Sequence, residues 1–170
     1  MEYKNNTIKT SLRNEDGTFY GYASIFNVTD SYNDVIINGA FKDTLINNKE
    51  IQLCWQHDSN KVIGKFNIIK EDDIGLYVEG KIDVNNNKNI YSYVKNELVN
   101  GLSIGYTVNN CYTDKKGRRV LTSINLKEIS IVSFPANKHS NIIYCKSNNS
   151  INYLQKCING IDKLINIFKY

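Results

Sequence analysis

The chain is poor in residues that punctuate or cross-link a fold. Proline occurs once and glycine ten times among 170 residues, which excludes collagen-like and proline-rich linker architectures. The two histidines and the four cysteines (Cys54, Cys111, Cys145 and Cys157) form no CxxC pair and no zinc-ligand spacing, so neither a metal nor another cofactor is expected. The scattered thiols read as free and structural, in keeping with a reducing cytoplasmic setting. No apolar run approaches the ~18 residues of a membrane span. The first twenty residues are polar and carry no secretory signal pattern. Walker loops, GxGxxG fingerprints and HExxH motifs are all missing.

Charge is also modest. The 21 basic and 17 acidic residues leave a net +4, spread along the chain. A nucleic-acid protein concentrates more charge on one face, so no specific nucleic-acid partner is expected. The densest basic run, Lys115, Lys116, Arg118 and Arg119 around Gly117, reads as a solvated hairpin tip. Hydrophobic content of 41% and charged content of 22% argue against disorder and coiled coil. A single domain of this length buries about two-thirds of its unfolded surface without metal or disulfides.

What the chain does have is strand pattern. Residues 19–26 (FYGYASIF) and 35–37 are β-rich, the latter ending at the Asn38-Gly39 turn signal. Residues 51–57 (IQLCWQH) alternate, 61–69 in part, and 75–84 show Leu76 and Val78, then Ile82 and Val84 after a shift at Gly80. Strands are also predicted at 102–108, 119–124 and 126–134. Two short helices are predicted, at 40–46 with Phe41 and Leu45 on one face, and at 89–99 with Ile90, Tyr91, Val94 and Leu98. From residue 150 onward, Ile151, Leu154, Ile158, Ile161, Ile165 and Phe168 fall at helical offsets. The predicted fold is mainly β with helices (α+β). It is an antiparallel β-barrel of about seven strands over 1–146, with a linker and amphipathic helix over 147–170.

Three residues stand out as carriers of chemistry. In GLSIGYTV (101–108), alternation puts Leu102, Ile104, Tyr106 and Val108 on one face and Gly101, Ser103, Gly105 and Thr107 on the other. Ser103 thus lies on a bare strip that admits another backbone, as a nucleophile requires; it is otherwise a serine on a solvent face or under a packed ring. Strand parity puts His57 at the end of the Ile51, Leu53, Trp55 face. There it is either a general base or a histidine with one hydrogen bond. Glu128 shares a face with Leu126, Ser130 and Val132. Such a carboxylate is either paired, most naturally with a histidine, or exposed beside Lys127. Cys54 and His57, three apart, point to opposite faces of a strand and cannot pair there.

Taken in order, the segments Gly21-Tyr22-Ala23-Ser24-Ile25-Phe26, Asp34-Val35-Ile36 with Gly39-Ala40-Phe41, Gln56-His57-Asp58, Ile63-Gly64, Gly75-Leu76-Tyr77-Val78, Leu102-Ser103-Ile104-Gly105-Tyr106, Glu128-Ile129-Ser130-Ile131-Val132 and Pro135-Ala136-Asn137 resemble the prohead (capsid maturation) protease family of tailed phages. The resemblance covers roughly residues 8–145. It implies a serine endopeptidase with a herpesvirus-assemblin-like β-barrel and a catalytic His…Ser order, matched by His57 and Ser103. In the herpesvirus relatives the third member is a second histidine, and the corresponding strand here carries Glu128. The family implies action in the host cytoplasm, inside the immature capsid. Its substrates would be scaffold or the major capsid protein's scaffolding segment, and the enzyme itself. A homodimer or higher self-association is expected, with no membrane contact. Two other readings stay open: an inactive capsid-assembly or scaffold-binding module, and a basic nucleic-acid-binding β-barrel using the 12 tyrosines.

Overall fold

The computed structural model describes residues 16–47 and 50–143. The predicted helix beyond residue 150, and the boundary at 146, lie outside them. Alternating apolar residues build β1 (Thr18–Ile25), β2 (Asp34–Ile36), β3 (Gln52–Trp55), β4 (Asp58–Glu71), β5 (Gly75–Ile82), β6 (Gly101–Thr113), β7 (Arg119–Val132) and β8 (Ile142–Ile143). The two short helices are α1 (Lys42–Ile46) and α2 (Lys88–Lys95).

The strands form one sheet in the order β2-β7-β3-β4-β5-β1-β8, with β6 against the other side of β7. The sheet is mixed rather than purely antiparallel, because β2 and β3 both run parallel to β7. It curls so that its two sides approach: Gly101 bridges Asn141, and the Leu102 N–H donates to Ser140 O at 3.0 Å. β8 carries the contact on to β1. Inside the curl, Phe19, Phe41, Leu53, Leu76, Leu102, Leu121, Leu126 and Ile129 make one buried core.

The two strands predicted over 119–134 are one continuous β7. Its far edge is shared by three partners. β2 pairs with its start and β3 with its end. In the gap between them, α1 supplies the hydrogen bonds: Thr44 Oγ1 donates to Ile124 O at 3.0 Å and accepts the Leu126 N–H at 3.1 Å. The Ile124 N–H donates to Ala40 O at 3.0 Å. Helix α1 therefore replaces a missing strand segment.

Three further expectations need correction. β5 keeps its alternation through Gly80, and the irregularity there lies in β4, between Phe66 opposite Gly80 and Ile68 opposite Glu79. Gly80 takes the inward position between Val78 and Ile82 because the Phe19 ring lies on it. A Cβ there would stand 2.4 Å from Phe19 Cζ. Leu98 is 70% exposed, because α2 ends at Lys95 and Glu97 follows with φ 59°. The β6–β7 tip exposes Lys115 and Lys116, but Arg118 and Arg119 are tied down. Arg118 Nη2 lies 2.7 Å from Asp114 Oδ2, and Arg119 binds the buried Asp34 carboxylate through Nε and Nη2.

Candidate active site

The site begins at a turn. Trp55 pairs with Asp58, so Gln56 and His57 form a two-residue β3–β4 loop rather than the end of a strand. Their φ values, 54° and 61°, are both positive, as a type I′ hairpin turn requires. Neither residue is Gly, Asn or Asp, so the left-handed backbone costs about 1–2 kcal/mol at each position. Neighbouring groups hold it. The Gln56 N–H donates to Ile131 O at 3.0 Å, the His57 N–H donates to Ser130 Oγ at 3.1 Å, and Gln56 Nε2 donates to Ser133 Oγ at 2.9 Å.

The turn aims the imidazole at β7. His57 Nδ1 lies 2.6 Å from Glu128 Oε1, with the histidine side chain 45% exposed and the glutamate 14%. Glu128 can meet it because β7 carries a bulge. Gly105 pairs with Glu128 and Tyr106 with Leu126, leaving Lys127 as an extra residue. Below the bulge Leu126 packs in the core. Above it Ile129 and Ile131 take the core side, and Glu128 and Ser130 turn to the opposite face. Glu128 and Leu126 therefore do not share a face, contrary to parity counted along the sequence.

Ser103 pairs directly with Ser130, so it shares the face of Glu128 and is only 6% exposed. The bare strip on β6 is used from within. A Cβ on Gly105 would fall 2.3 Å from Glu128 Oε1, and one on Gly101 would fall 2.8 Å from the Pro135 ring. These glycines admit protein side chains.

A cleft of about 390 Å³ runs along β6. His57, Ser103, Ile104 and Tyr106 line it, facing residues 23–25 of β1, the loop that carries Asp30 and Tyr32, and Ala136 and Asn137. His57 and Ser103 border the same cleft, but no hydrogen bond joins them among the described residues. Sites without substrate are often this loose. One wall is charged: Asp34 lies between Arg119 and the Tyr106 hydroxyl, which donates to Asp34 Oδ2 at 3.1 Å. Burial and the Asp34 charge push the Tyr106 hydroxyl pKa well up.

Cys54 is fully buried and stands beside Ser130 in the β3–β7 pairing. Burial, and then the charges of Glu128 and Asp58, push its thiol pKa up, away from the thiolate. The parity argument for separating Cys54 from His57 lapses, because His57 is not on the strand, but the thiol is unsuited to nucleophilic work for this separate reason. His139, in the polar stretch Asn137-Lys138-His139-Ser140, is half-buried. Among the described residues no group of three or more metal-ligating side chains is found.

Ser130 is a site residue that the sequence does not single out. Its hydroxyl donates to Glu128 Oε2 at 2.6 Å while accepting the His57 N–H. The one signal available is its place two residues after Glu128 on a strand, where both side chains face the same way.

Comparison with known proteins agrees with this architecture. The chain is 31% identical to the prohead protease of Enterobacteria phage HK97 over 99% of its own length and 78% of that protein's. It is 29% identical to the prohead protease of Escherichia phage T5, over 61% of this chain and half of that protein. Among solved structures, the bacteriophage T4 capsid assembly protease, gp21, matches with a TM-score of 0.58 and 9% identity over 69% of this chain and 82% of that one. The KSHV protease, solved with a hexapeptide phosphonate inhibitor, matches with a TM-score of 0.51 and 8% identity over 86% and 76%. These last two likenesses concern the fold. The family model for caudovirus prohead serine proteases matches residues 4–156, and the chain belongs to that family of phage capsid-maturation enzymes.

Proposed function

We propose that the protein cleaves peptide bonds by acyl transfer, with Ser103 as nucleophile, His57 as general base and Glu128 as the residue that orients the imidazole. The observation that carries this reading is the 2.6 Å contact between His57 Nδ1 and Glu128 Oε1 at the cleft that Ser103 also lines. When Nδ1–H donates to the carboxylate, Nε2 is left with its lone pair toward the cleft. Nε2 takes the Ser103 proton as Oγ attacks the scissile carbonyl. The same nitrogen then gives that proton to the leaving amine, and water hydrolyses the acyl-enzyme by the reverse sequence. The 135–137 loop, whose Ala136 and Asn137 line the cleft, is the candidate source of oxyanion donors.

The substrates in this reading are the scaffold or the scaffolding segment of the capsid protein, and the enzyme's own chain. The reaction takes place inside the prohead, where crowding favours self-association. The test is labelling of the purified chain with a fluorophosphonate probe, together with co-expression with the neighbouring capsid or scaffold gene and measurement of intact mass. Ser103→Ala should abolish both labelling and product masses, and His57→Ala should nearly do so. Labelling that survives Ser103→Ala would remove the assignment.

A further inference from the structure

Ser130 is buried in β7, and its hydroxyl makes two contacts of opposite sense. An amide N–H can only donate, so Oγ accepts from His57, and the single hydroxyl proton is left for Glu128 Oε2. With Glu128 Oε1 on His57 Nδ1, these bonds close a ring that starts and ends on His57. It runs from the backbone N–H through the Ser130 hydroxyl and the Glu128 carboxyl to the imidazole.

We infer that Ser130 is a positioning residue of the protease site. Its hydroxyl keeps Glu128 Oε1 on His57 Nδ1 and supports the left-handed backbone of His57, so that Nε2 is presented to Ser103. The inference rests on the assignment of His57, Ser103 and Glu128 made above. Two further observations support it. The positive φ values at Gln56 and His57 require outside support in a turn without glycine. Ser103 stands directly opposite Ser130 in the β6–β7 register, so the ring adjoins the proposed nucleophile. Without the hydroxyl, the Glu128 carboxyl loses one of its two anchors and can turn about its last bond, and the His57 N–H loses its partner.

The test uses the full chain and a fluorophosphonate probe, with kinact and KI measured separately. Four forms are compared: the parent, Ser130→Ala, Glu128→Ala and the double substitution. Ser130→Ala should lower kinact about tenfold, the loss of one charge-assisted hydrogen bond, with KI unchanged. In the Glu128→Ala background the same change should cost clearly less, because the part carried by the carboxylate is already lost and only the support of the His57 N–H remains. Ser130→Thr, which keeps the hydroxyl, should recover most of the rate. An equal loss in both backgrounds overturns the proposal, and so does parental kinact in Ser130→Ala. If Ser130→Ala lacks the parent's cooperative melting, Ser130→Cys takes its place in the cycle. It keeps the bulk and weakens the donor, so a loss confined to the Glu128 background supports the proposal, and an equal loss in both overturns it. Ser103→Ala separates the two ideas. Persistent labelling there removes the site assignment and this proposal with it, whereas a silent Ser103→Ala with additive losses removes this proposal alone.

Discussion

At the scale of single residues, Gly105 is the most informative. Its missing side chain is the space in which the Glu128 carboxyl lies, since an added Cβ would fall 2.3 Å from Oε1. Gly105→Ala should therefore displace Glu128 from His57. A misplacement of about an ångström in such a site costs on the order of 10²-fold. Fluorophosphonate labelling should slow by about 10- to 100-fold while the melting temperature changes little, because the displaced atoms are chiefly the end of a side chain. The thiols should behave in the opposite way. Replacing Cys54 and Cys111 by Ala should leave the labelling rate per folded molecule unchanged. In the native parent, iodoacetamide should modify the exposed Cys111 and spare the buried Cys54. A loss of activity confined to Cys54→Ala would point to a thiol mechanism instead.

At the scale of elements, β7 decides the site. It is the strand against which β2, β3, β6 and α1 all lie, and its bulge at Lys127 brings Glu128 round to Ser103 and His57. Helix α1 holds the stretch just before the bulge through Thr44. Thr44→Val keeps the shape of this buried side chain but leaves the Leu126 N–H and Ile124 O without their partner. It should destabilise the chain by about 1–3 kcal/mol. Urea unfolding measures this, and an unchanged midpoint would mean that α1 does not support β7. The β3–β4 turn is not legible in the sequence, because its two central residues, Gln56 and His57, are none of the Gly, Pro, Asn, Asp or Ser that mark turns. Bonds from Ser130, Ile131 and Ser133, all distant in sequence, hold it.

At the scale of the whole molecule, the curl brings β1 and its following loop opposite β6 and places acidic groups in the cleft wall. Burial pushes the Asp30 carboxyl above its ordinary value of 3.8, and the Asp34 charge adds to this. Hydrogen bonds from the Asp34 and Tyr32 N–H groups pull the other way. Because the folded chain holds this proton to higher pH than the unfolded chain, stability falls as pH rises from 3.8 through the folded value. Asp30→Asn keeps the Oδ1 acceptor and removes the charge. It should melt at a higher temperature than the parent at pH 7, with the gap shrinking as pH falls toward 3.8 and below. Melting curves across that range test this, and a gap that widens on acidification would contradict it. The half-exposed Arg119 has a structural task, the pairing of the buried Asp34 carboxylate. Removing it would strand the buried Asp34 charge with only the Tyr106 hydroxyl.

Amino-acid order alone dictates the strands with strong alternation, such as β1 and β5, the two short helices, and the residue types available for chemistry. In the ordered motifs it also carries the likeness to prohead proteases. Alternation reports which neighbours share a face only while a strand stays regular. At Lys127 an extra residue reverses the count, and that extra residue exists only relative to β6, the strand paired directly with β7. The left-handed turn at His57 has the same origin: its local cost is unfavourable, and partners more than seventy residues away offset it. Ser130 reads as an ordinary strand serine until pairing sets it between His57 and Glu128. Strand content is thus a local property of side chains, whereas the site is a property of register, and register is decided by which distant strands pair.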